Sequence, residues 1–183
     1  MVHGDVRGSF TETFKASAFE GAIGRPLDVA QVNVSRSVRG TLRGVHYADL
    51  PPSQAKYVMC SEGEILDVVV DIRVGSPTFG AHVTVPLDAT RRAGVFLSEG
   101  LGHAFLALSE TAVVTYLVTA EFSPTREHGI TPVDDTLAID WPSGITPLMS
   151  AKDAAAPSLA QARAAGLLPN YDACLAYVAG LRR

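Results

Sequence analysis

Short hydrophobic runs separated by turn-forming residues dominate the first 150 residues of the chain. Valine, isoleucine, threonine and phenylalanine make up most of these runs, and clusters of glycine, proline, aspartate and serine lie between them. Runs of this kind are typical of β-strands, and many short strands at close spacing indicate a sandwich or a barrel. The predicted strands cover residues 28–35, 41–47, 55–60, 64–72, 82–86, 93–97, 104–108 and 112–120.

A helical pattern replaces the strand pattern after residue 150. Ser158 and Gln161 have the spacing of a capping box before a short alanine-rich helix, and Gly166 is a residue type that ends helices. A second helix is predicted over residues 171–181, and a box-like segment beginning at Ser17 predicts an early one. We therefore predict an all-β barrel with a few peripheral helices, most of them C-terminal.

The length of 183 residues fits a single domain, and 47% apolar residues with a mean hydropathy of +0.19 can supply its core. We expect residues 1–149 to form the barrel and residues 150–183 to form a helical extension packed on it. The net charge of −4 provides no general basic field for nucleic acid, so no nucleic-acid partner is expected.

Membrane spans and metal-binding cysteine motifs are not predicted. The longest valine-rich run, residues 65–72, is interrupted by Asp67 and Asp71 and is too short to cross a bilayer. The first residues lack the apolar core of a signal peptide, so the cytoplasm is the expected location. Cys60 and Cys174 are too few for a disulfide framework or a zinc finger.

The first predicted strand carries one polar and one apolar face. Side chains alternate along a strand, so Gln31, Asn33 and Ser35 share one face, while Val32 and Val34 share the other. The polar face is either an ordinary solvent face or part of a site. In other strands, Lys56 suggests a surface position and Tyr116 a core position, and neither residue alone decides the function.

An unusual combination of Arg43, Gly44 and His46 lies in the second predicted strand. Strict alternation sends Arg43 and His46 to opposite faces, and the interpretation favoured by these residues alone is a surface arginine and a core histidine. Glycine in a strand commonly marks a bulge that redirects neighbouring side chains. With a bulge at Gly44, both side chains would enter one cavity.

These segments together resemble the dTDP-4-dehydrorhamnose 3,5-epimerase family, whose members are nucleotide-sugar epimerases with a cupin-like jelly-roll fold. The resemblance extends over nearly the whole chain, and its most specific string is Asp-Ile-Arg-Val-Gly-Ser-Pro-Thr-Phe-Gly at residues 71–80. The other matching segments are residues 3–8, 31–33, 42–47, 100–105 and 152–153, together with Lys56 and Tyr116.

The resemblance implies a thymidine-diphospho 4-keto-6-deoxyhexose as substrate, whose C4 ketone acidifies the C–H bonds at C3 and C5. Epimerisation needs a base on one face of the sugar, a stabiliser of the enolate, and an acid on the other face. His46 matches the base, and Asp153 matches the carboxylate that orients it. Lys56 matches the enolate stabiliser. Tyr116 matches the acid, and we expect nearby Lys56 to lower the pKa of its phenol.

Further residues match the family's substrate contacts, and neither a cofactor nor a metal ion is implied. Arg7 and Arg43 match contacts to the diphosphate, because guanidinium groups suit phosphate oxygens. Gln31 and Asn33 match polar contacts around the nucleotide, which would explain the polar strand face. The remaining predicted substrate-binding residues are Phe10, Glu12, His103 and Phe122.

The family also implies a homodimer. Phe10 and Glu12 match groups near the thymine, with Phe10 as the stacking candidate, and the segment from Arg7 to Glu12 comes from the neighbouring subunit. This chain begins at Met1, close to that segment, where family members usually have a further stretch of strand. We therefore expect the dimer to be less firmly joined.

The number of inverted centres depends on Phe122. Many dual epimerases have a pair of tyrosines where this chain has Glu121 and Phe122, so an aromatic wall is kept and a hydroxyl is lost. Pro51-Pro52 and the Ala-Lys-Tyr string at residues 55–57 are similar to single-centre epimerases of antibiotic deoxysugar pathways. We therefore expect inversion at one centre, C3 in preference to C5.

Several alternatives remain open from the sequence. The closest is the dual 3,5-epimerase, and a 3,4-ketoisomerase would share the barrel and the diphosphate contacts. A metal-dependent cupin would use His46 and His103, but Ala48 replaces the second histidine of the usual His-x-His pair. A non-catalytic nucleotide-sugar binder would not need the complete set of acid and base residues that this chain has.

Overall fold

The structure is a computed structural model that describes residues 2–181. The strands are β1 (Val2–Asp5), β2 (Gly8–Thr11), β3 (Gln31–Val38), β4 (Leu42–Ala48), β5 (Lys56–Glu62), β6 (Glu64–Asp71), β7 (His82–Asp88), β8 (Gly94–Leu97), β9 (Leu101–Ala107), β10 (Thr111–Val118) and β11 (Glu127–Gly129). The helices are α1 (Ala16–Ile23), α2 (Ala151–Ala154), α3 (Leu159–Ala164) and α4 (Tyr171–Gly180).

Two antiparallel sheets form the body of the molecule. One has the strand order β3-β10-β5-β8 and the other has the order β11-β4-β9-β6-β7, while β1 and β2 form a separate hairpin. Val58 and Val114 of the first sheet share a fully buried core cluster with Ile65, Leu87 and Phe105 of the second. The sheets therefore face each other across a core, and the all-β prediction with peripheral helices is confirmed.

A second core cluster covers the outer side of the five-stranded sheet. Val45 and Val68 of this sheet pack with Ile130 and with Leu159 and Ala162 of α3. Ser158 begins α3 with the predicted capping box, in which its side chain and that of Gln161 each accept a backbone N–H bond. This packing holds the C-terminal segment against the sheet, close to the strands that carry the site.

All eight predicted strands occur, with ends that differ by a few residues. Strands β1, β2 and β11 were not predicted, because they have three or four residues and pair with a single neighbour. The early helix predicted from Ser17 occurs as α1, but Ser17 does not cap it: the N-cap is Lys15, two residues earlier, and it makes no side-chain capping bond. Burial of Phe19 against the rings of Tyr57 and Phe96 fixes this helix instead.

The two faces of β3 have an unusual arrangement. Its polar side chains turn toward the barrel interior, where Ser37 is buried, and its apolar side chains turn outward, where Val32, Val34 and Val38 are exposed. An ordinary solvent face made of the polar residues is therefore excluded.

No helix among the described residues is long and apolar enough to cross a membrane. The cytoplasmic location stays a prediction.

Candidate active site

A cavity of about 300 Å³ opens between the two sheets at the ends of β4, β5, β9 and β10. Its size is at the lower end of small-molecule sites. Side chains from both sheets and from the segment that begins α2 line it. The lining residues are Asn33, Arg43, His46, Gln54, Lys56, His103, Phe105, Tyr116, Val118, Phe122, Glu127, His128, Ser150, Lys152 and Asp153.

A bulge at Gly44 brings Arg43 and His46 into this cavity. The pairing of β4 with β9 changes register between these two residues. Gly44 has φ 121°, and a Cβ atom there would lie 2.6 Å from the carbonyl oxygen of His103, so no other residue fits. The bulge hypothesis is confirmed, and the alternative of a surface arginine and a core histidine is wrong.

A histidine and a carboxylate form the mouth of the cavity on the five-stranded side. His46 Nε2 lies 2.6 Å from Asp153 Oδ1. The carboxylate is buried, whereas 36% of the His46 side chain is exposed. The Ser150 side chain caps α2 by accepting the N–H of Asp153, which places Asp153 in the first turn. Burial alone would raise the pKa of Asp153, but the hydrogen bonds with His46 and Ser150 and the charges of His46 and Arg43 together outweigh burial and hold this pKa below its usual value.

Lys56 and Tyr116 lie on the wall that faces His46, because they belong to the four-stranded sheet. Tyr116 is beside Asn33 in the pairing of β10 with β3, and Val118 is beside Lys56 in the pairing of β10 with β5. Burial lowers the pKa of the Lys56 ammonium, and the charges of Glu127 and Asp67 oppose this shift. Two of the predicted residues therefore stand opposite the histidine.

The phenol of Tyr116 is hard to ionise. Burial raises its pKa to about 12, although a hydrogen bond with Ser35 at 3.3 Å and the charge of Arg43 act in the other direction. Lys56 is not among the causes of the shift, so the expectation that it lowers the phenol's pKa is wrong. The physical reason for the raised pKa is that the loss of water around the ring outweighs the hydrogen bond with Ser35 and the charge of Arg43.

A second histidine–carboxylate pair lies deeper in the same wall as His46. His103 is the direct neighbour of His46 in the pairing of β4 with β9. Its Nε2 lies 2.6 Å from Asp67 Oδ2, and both side chains are buried. The edge of the His103 ring also meets the Tyr116 ring, with 5.9 Å between the centroids.

Phe122 forms part of the outer wall of the cavity and is 59% exposed. Its backbone N–H donates to Gln31 Oε1 at 2.9 Å, and Gln31 Nε2 donates to Asn33 Oδ1 at 2.6 Å. Gln31 itself does not line the cavity, and its predicted contact with the nucleotide stays a prediction. Its amide is occupied in joining the Phe122 backbone to Asn33.

The predicted residues Arg7, Phe10 and Glu12 do not reach the cavity of their own chain. Arg7 and Phe10 lie on or beside the β1–β2 hairpin, where Arg7 pairs with Asp5 and Phe10 is 67% exposed. Glu12 is also exposed, 3.9 Å from Lys15. The other predicted binding residues, Asn33, Arg43, His103 and Phe122, do line the cavity.

Several cavity residues were not predicted. Glu127 and His128 belong to β11, a strand too short to be recognised, and Gln54 follows an irregular proline-rich segment. Gln54 Nε2 donates to the carbonyl oxygen of Ala120 at 2.8 Å. Lys152 could have been found, since it precedes Asp153 in a segment that carried the resemblance.

Within residues 2–181, no group of three or more histidine, cysteine or acidic side chains is placed to hold a metal ion.

This jelly-roll barrel has an oriented histidine on one wall of its cavity and a tyrosine on the opposite wall, so a proton acceptor and a proton donor can face the two sides of one ligand. The comparison with family models makes the class specific, because the model described as dTDP-4-dehydrorhamnose 3,5-epimerase matches residues 1–161. The chain belongs to this family of isomerases.

Relatives and solved structures agree with this membership. The dTDP-4-dehydrorhamnose 3-epimerase of Streptomyces niveus is 53% identical over 172 residues, which are 94% of this chain and 83% of the relative. The rmlC epimerase of Mycobacterium tuberculosis has 50% identity and a TM-score of 0.96, covering 99% of this chain and 92% of that one. ChmJ, a 3′-monoepimerase from Streptomyces bikiniensis solved with dTDP-quinovose, has 48% identity, a TM-score of 0.97, and coverage of 100% and 92%.

Proposed function

We propose that this chain epimerises a dTDP-4-keto-6-deoxyhexose in deoxysugar biosynthesis, inverting one centre, C3 in preference to C5. The observation that carries this proposal is the placement of His46 with Asp153 on one wall of a cavity and Tyr116 on the opposite wall. Inversion needs proton removal from one face of the sugar and proton delivery to the other. Acid and base groups on facing sheets suit that requirement.

The first step is removal of the proton next to the C4 ketone by His46. The Asp153 carboxylate can only accept a hydrogen bond, so Nε2 of His46 keeps its proton and the neutral ring carries its lone pair on Nδ1. Nδ1 is therefore the basic atom. The Asp153 charge stabilises the imidazolium that forms, and positioned bases of this kind contribute about 10²–10⁴-fold in rate.

The second step is delivery of a proton to the other face of the enolate by Tyr116. Negative charge on the C4 oxygen is stabilised by the Lys56 ammonium. A pKa of about 12 keeps the Tyr116 phenol protonated at neutral pH, so the donor is loaded when the enolate forms. A phenol is still a much stronger acid than the C–H bond that it regenerates.

Nucleotide binding is assigned to Arg43 and Asn33 in the cavity, with His103 and Phe122 against the sugar. Arg7, Phe10 and Glu12 would act in the neighbouring subunit of a homodimer. Exposure of the hairpin and of the apolar face of β3 supports this assignment, since monomers rarely expose such surfaces. Sedimentation should give twice the chain mass of 19.3 kDa, and a monomer that binds dTDP tightly would contradict the dimer.

Inversion at one centre rests on Phe122. Relatives named as 3-epimerases and as 3,5-epimerases have nearly the same identity to this chain, 53% each for the two Streptomyces examples, so identity does not distinguish them. The phenyl ring of Phe122 keeps the wall of the cavity but offers no hydroxyl to hold the sugar in a second pose. The dual 3,5-epimerase is the second candidate, favoured by the M. tuberculosis enzyme at 50% identity over 99% of this chain.

Incubation with dTDP-4-keto-6-deoxyglucose in deuterated water, followed by NMR, tests the proposal directly. We expect deuterium and inversion at C3, with much slower exchange at C5. Comparable exchange at both carbons would make the chain a dual epimerase. Exchange at neither carbon, in protein that binds dTDP, would contradict epimerisation and leave a nucleotide-sugar binder.

A further inference from the structure

Asp67 is a buried carboxylate whose role the two proton-transfer steps leave unexplained. It lies on β6 and is 0% exposed. Its Oδ2 lies 2.6 Å from His103 Nε2, whereas its Oδ1 is fully buried without a hydrogen-bond partner among the described residues. A buried carboxylate oxygen without a donor costs free energy, so the stability of the fold does not account for Asp67 at this position.

The charge of Asp67 acts on both walls of the cavity. It opposes the burial that lowers the pKa of Lys56, and it adds to the burial that raises the pKa of Tyr116. Glu127 acts on Lys56 from the outer side in the same direction as Asp67. The other titratable or charged side chains around this cavity are Arg43, His46, His103, His128, Lys152 and Asp153.

Asp67 also determines which nitrogen of His103 is available. The carboxylate accepts a hydrogen bond from His103 Nε2, so the neutral ring keeps its proton on Nε2. Nδ1 is then the nitrogen that can accept a hydrogen bond from a ligand. The Tyr116 ring packs against the His103 ring and limits its rotation. The histidine is therefore held in one orientation from two sides.

We propose that Asp67 is a positioning residue of this active site: its buried carboxylate orients His103 and supplies a negative charge inside the barrel that attracts the Lys56 ammonium where the enolate forms. This proposal deepens the proposed function and rests on it for the identity of the enolate. It assigns to Asp67 no contact with the substrate. The carboxylate acts through His103 and through its charge alone.

The lysine half of the proposal can be tested without substrate. The chain has three lysines, Lys15, Lys56 and Lys152, so protein labelled with ¹³C at lysine Cε gives three signals that Lys15→Arg and Lys152→Arg assign. We expect Asp67→Asn, which keeps the shape and loses the charge, to move the titration of Lys56 to lower pH. Asp71→Asn is the matched control, because Asp71 lies on the same strand and is held by Arg73, Ser76 and Thr78. An unchanged Lys56 titration in Asp67→Asn, or an equal shift in Asp71→Asn, would overturn the proposal.

Activity measurements complete the test. In Asp67→Asn, kcat should fall with little change in KM, and the alkaline limb of the kcat profile should move to lower pH, because the ammonium form of Lys56 is lost earlier. If Asp67→Asn does not fold, His103→Gln provides the second variant, since it removes the ring and keeps the Asp67 charge. Lys56 should then titrate at the same or higher pH, and a shift to lower pH would refute the role of Asp67. Absence of exchange in the wild-type chain would refute the epimerase, while the lysine titrations would still decide the role of Asp67.

Discussion

The two histidine–carboxylate pairs of the cavity have the same bond and different surroundings. In both pairs, the histidine Nε2 lies 2.6 Å from a carboxylate oxygen, and the two histidines are neighbours across β4 and β9. His46 is partly exposed, and its partner Asp153 is supplied by the helical segment at the cavity mouth. His103 is buried, and its partner Asp67 comes from the adjacent strand β6 of the same sheet.

This difference separates two kinds of chemistry. A base that removes a proton must pass it on, so contact with water at the mouth suits His46. A buried pair exchanges protons with solvent poorly, and low local polarity strengthens the effect of its charge on neighbours. The exposed pair is therefore suited to proton transfer, and the buried pair to holding side chains and charges in place.

The sharpest way to break the comparison is to remove each imidazole in turn. We expect His46→Asn to lower deuterium incorporation at the sugar by about 10²–10⁴-fold, because only a base can start enolisation. His103→Asn should lower the rate without abolishing exchange. The measurement is NMR in deuterated water, with dTDP binding and circular dichroism as controls for the fold. Deuterium exchange at the wild-type rate in His46→Asn would contradict the assignment of His46 as the base and would favour His103 for that role.

Tyr116 lies opposite the exposed pair and against the buried one, so its hydroxyl tests the direction of proton delivery. In Tyr116→Phe, His46 should still exchange the proton on its own face, while inversion should be lost. The expected product is deuterated substrate with retained configuration. Inversion at the wild-type rate would mean that another acid serves the far face.

The sequence predicted the barrel well, because the turns between strands carry glycine, proline and aspartate at nearly every boundary. Gly44 is the best example, since one residue in a strand indicated a bulge that the structure confirms. The β1–β2 hairpin and β11 were missed because three or four residues have no measurable periodicity. Ser17 misled because burial of Phe19 decides where α1 begins, and packing of that kind cannot be read from a capping pattern.

The site was predictable only as far as the resemblance extended. His46, Asp153, Lys56 and Tyr116 do line one cavity. From residue pattern alone, His46 and Tyr116 looked like core residues and Lys56 like a surface residue, and Asp153 was found only through the resemblance. Asp67 looked like an interruption in a valine-rich strand. Its pairing with His103 depends on the register of β6 with β9, which the sequence does not encode locally.

The contribution of Asp153 to the stability of the fold should also depend on pH. Burial raises the pKa of Asp153, but contacts with His46, Ser150 and Arg43 together hold it below its usual value. The contribution of Asp153 to stability is therefore present above the unfolded-state pKa and is lost as the pH falls through the folded value. Asp153→Asn should lower the free energy of unfolding near neutral pH by about 1.5–3 kcal/mol, the usual range for a hydrogen bond to a charged group. The difference from wild type should shrink below pH 4, a range taken from the usual aspartate pKa of about 3.9. Urea unfolding at several pH values measures it, and a pH-independent difference would contradict the charged pair.

The smallest expected effect concerns how many carbons the exposed pair can reach. The two C–H bonds flank one ketone, so His46 can remove both protons only if the sugar adopts a second pose. Phe122 borders the cavity, and its backbone N–H is held by Gln31, so Phe122→Tyr keeps this backbone contact and adds a hydroxyl to the cavity wall. Phe122→Tyr should raise exchange at C5 relative to C3, because a hydroxyl that holds the sugar in a second pose brings the C5–H bond within reach of the base. Phe122→Leu is the matched control, since it changes the wall without adding a hydroxyl. The ratio of deuterium at the two carbons measures the effect. An equal ratio in the wild type and in Phe122→Tyr would mean that the sugar pose is set elsewhere in the cavity.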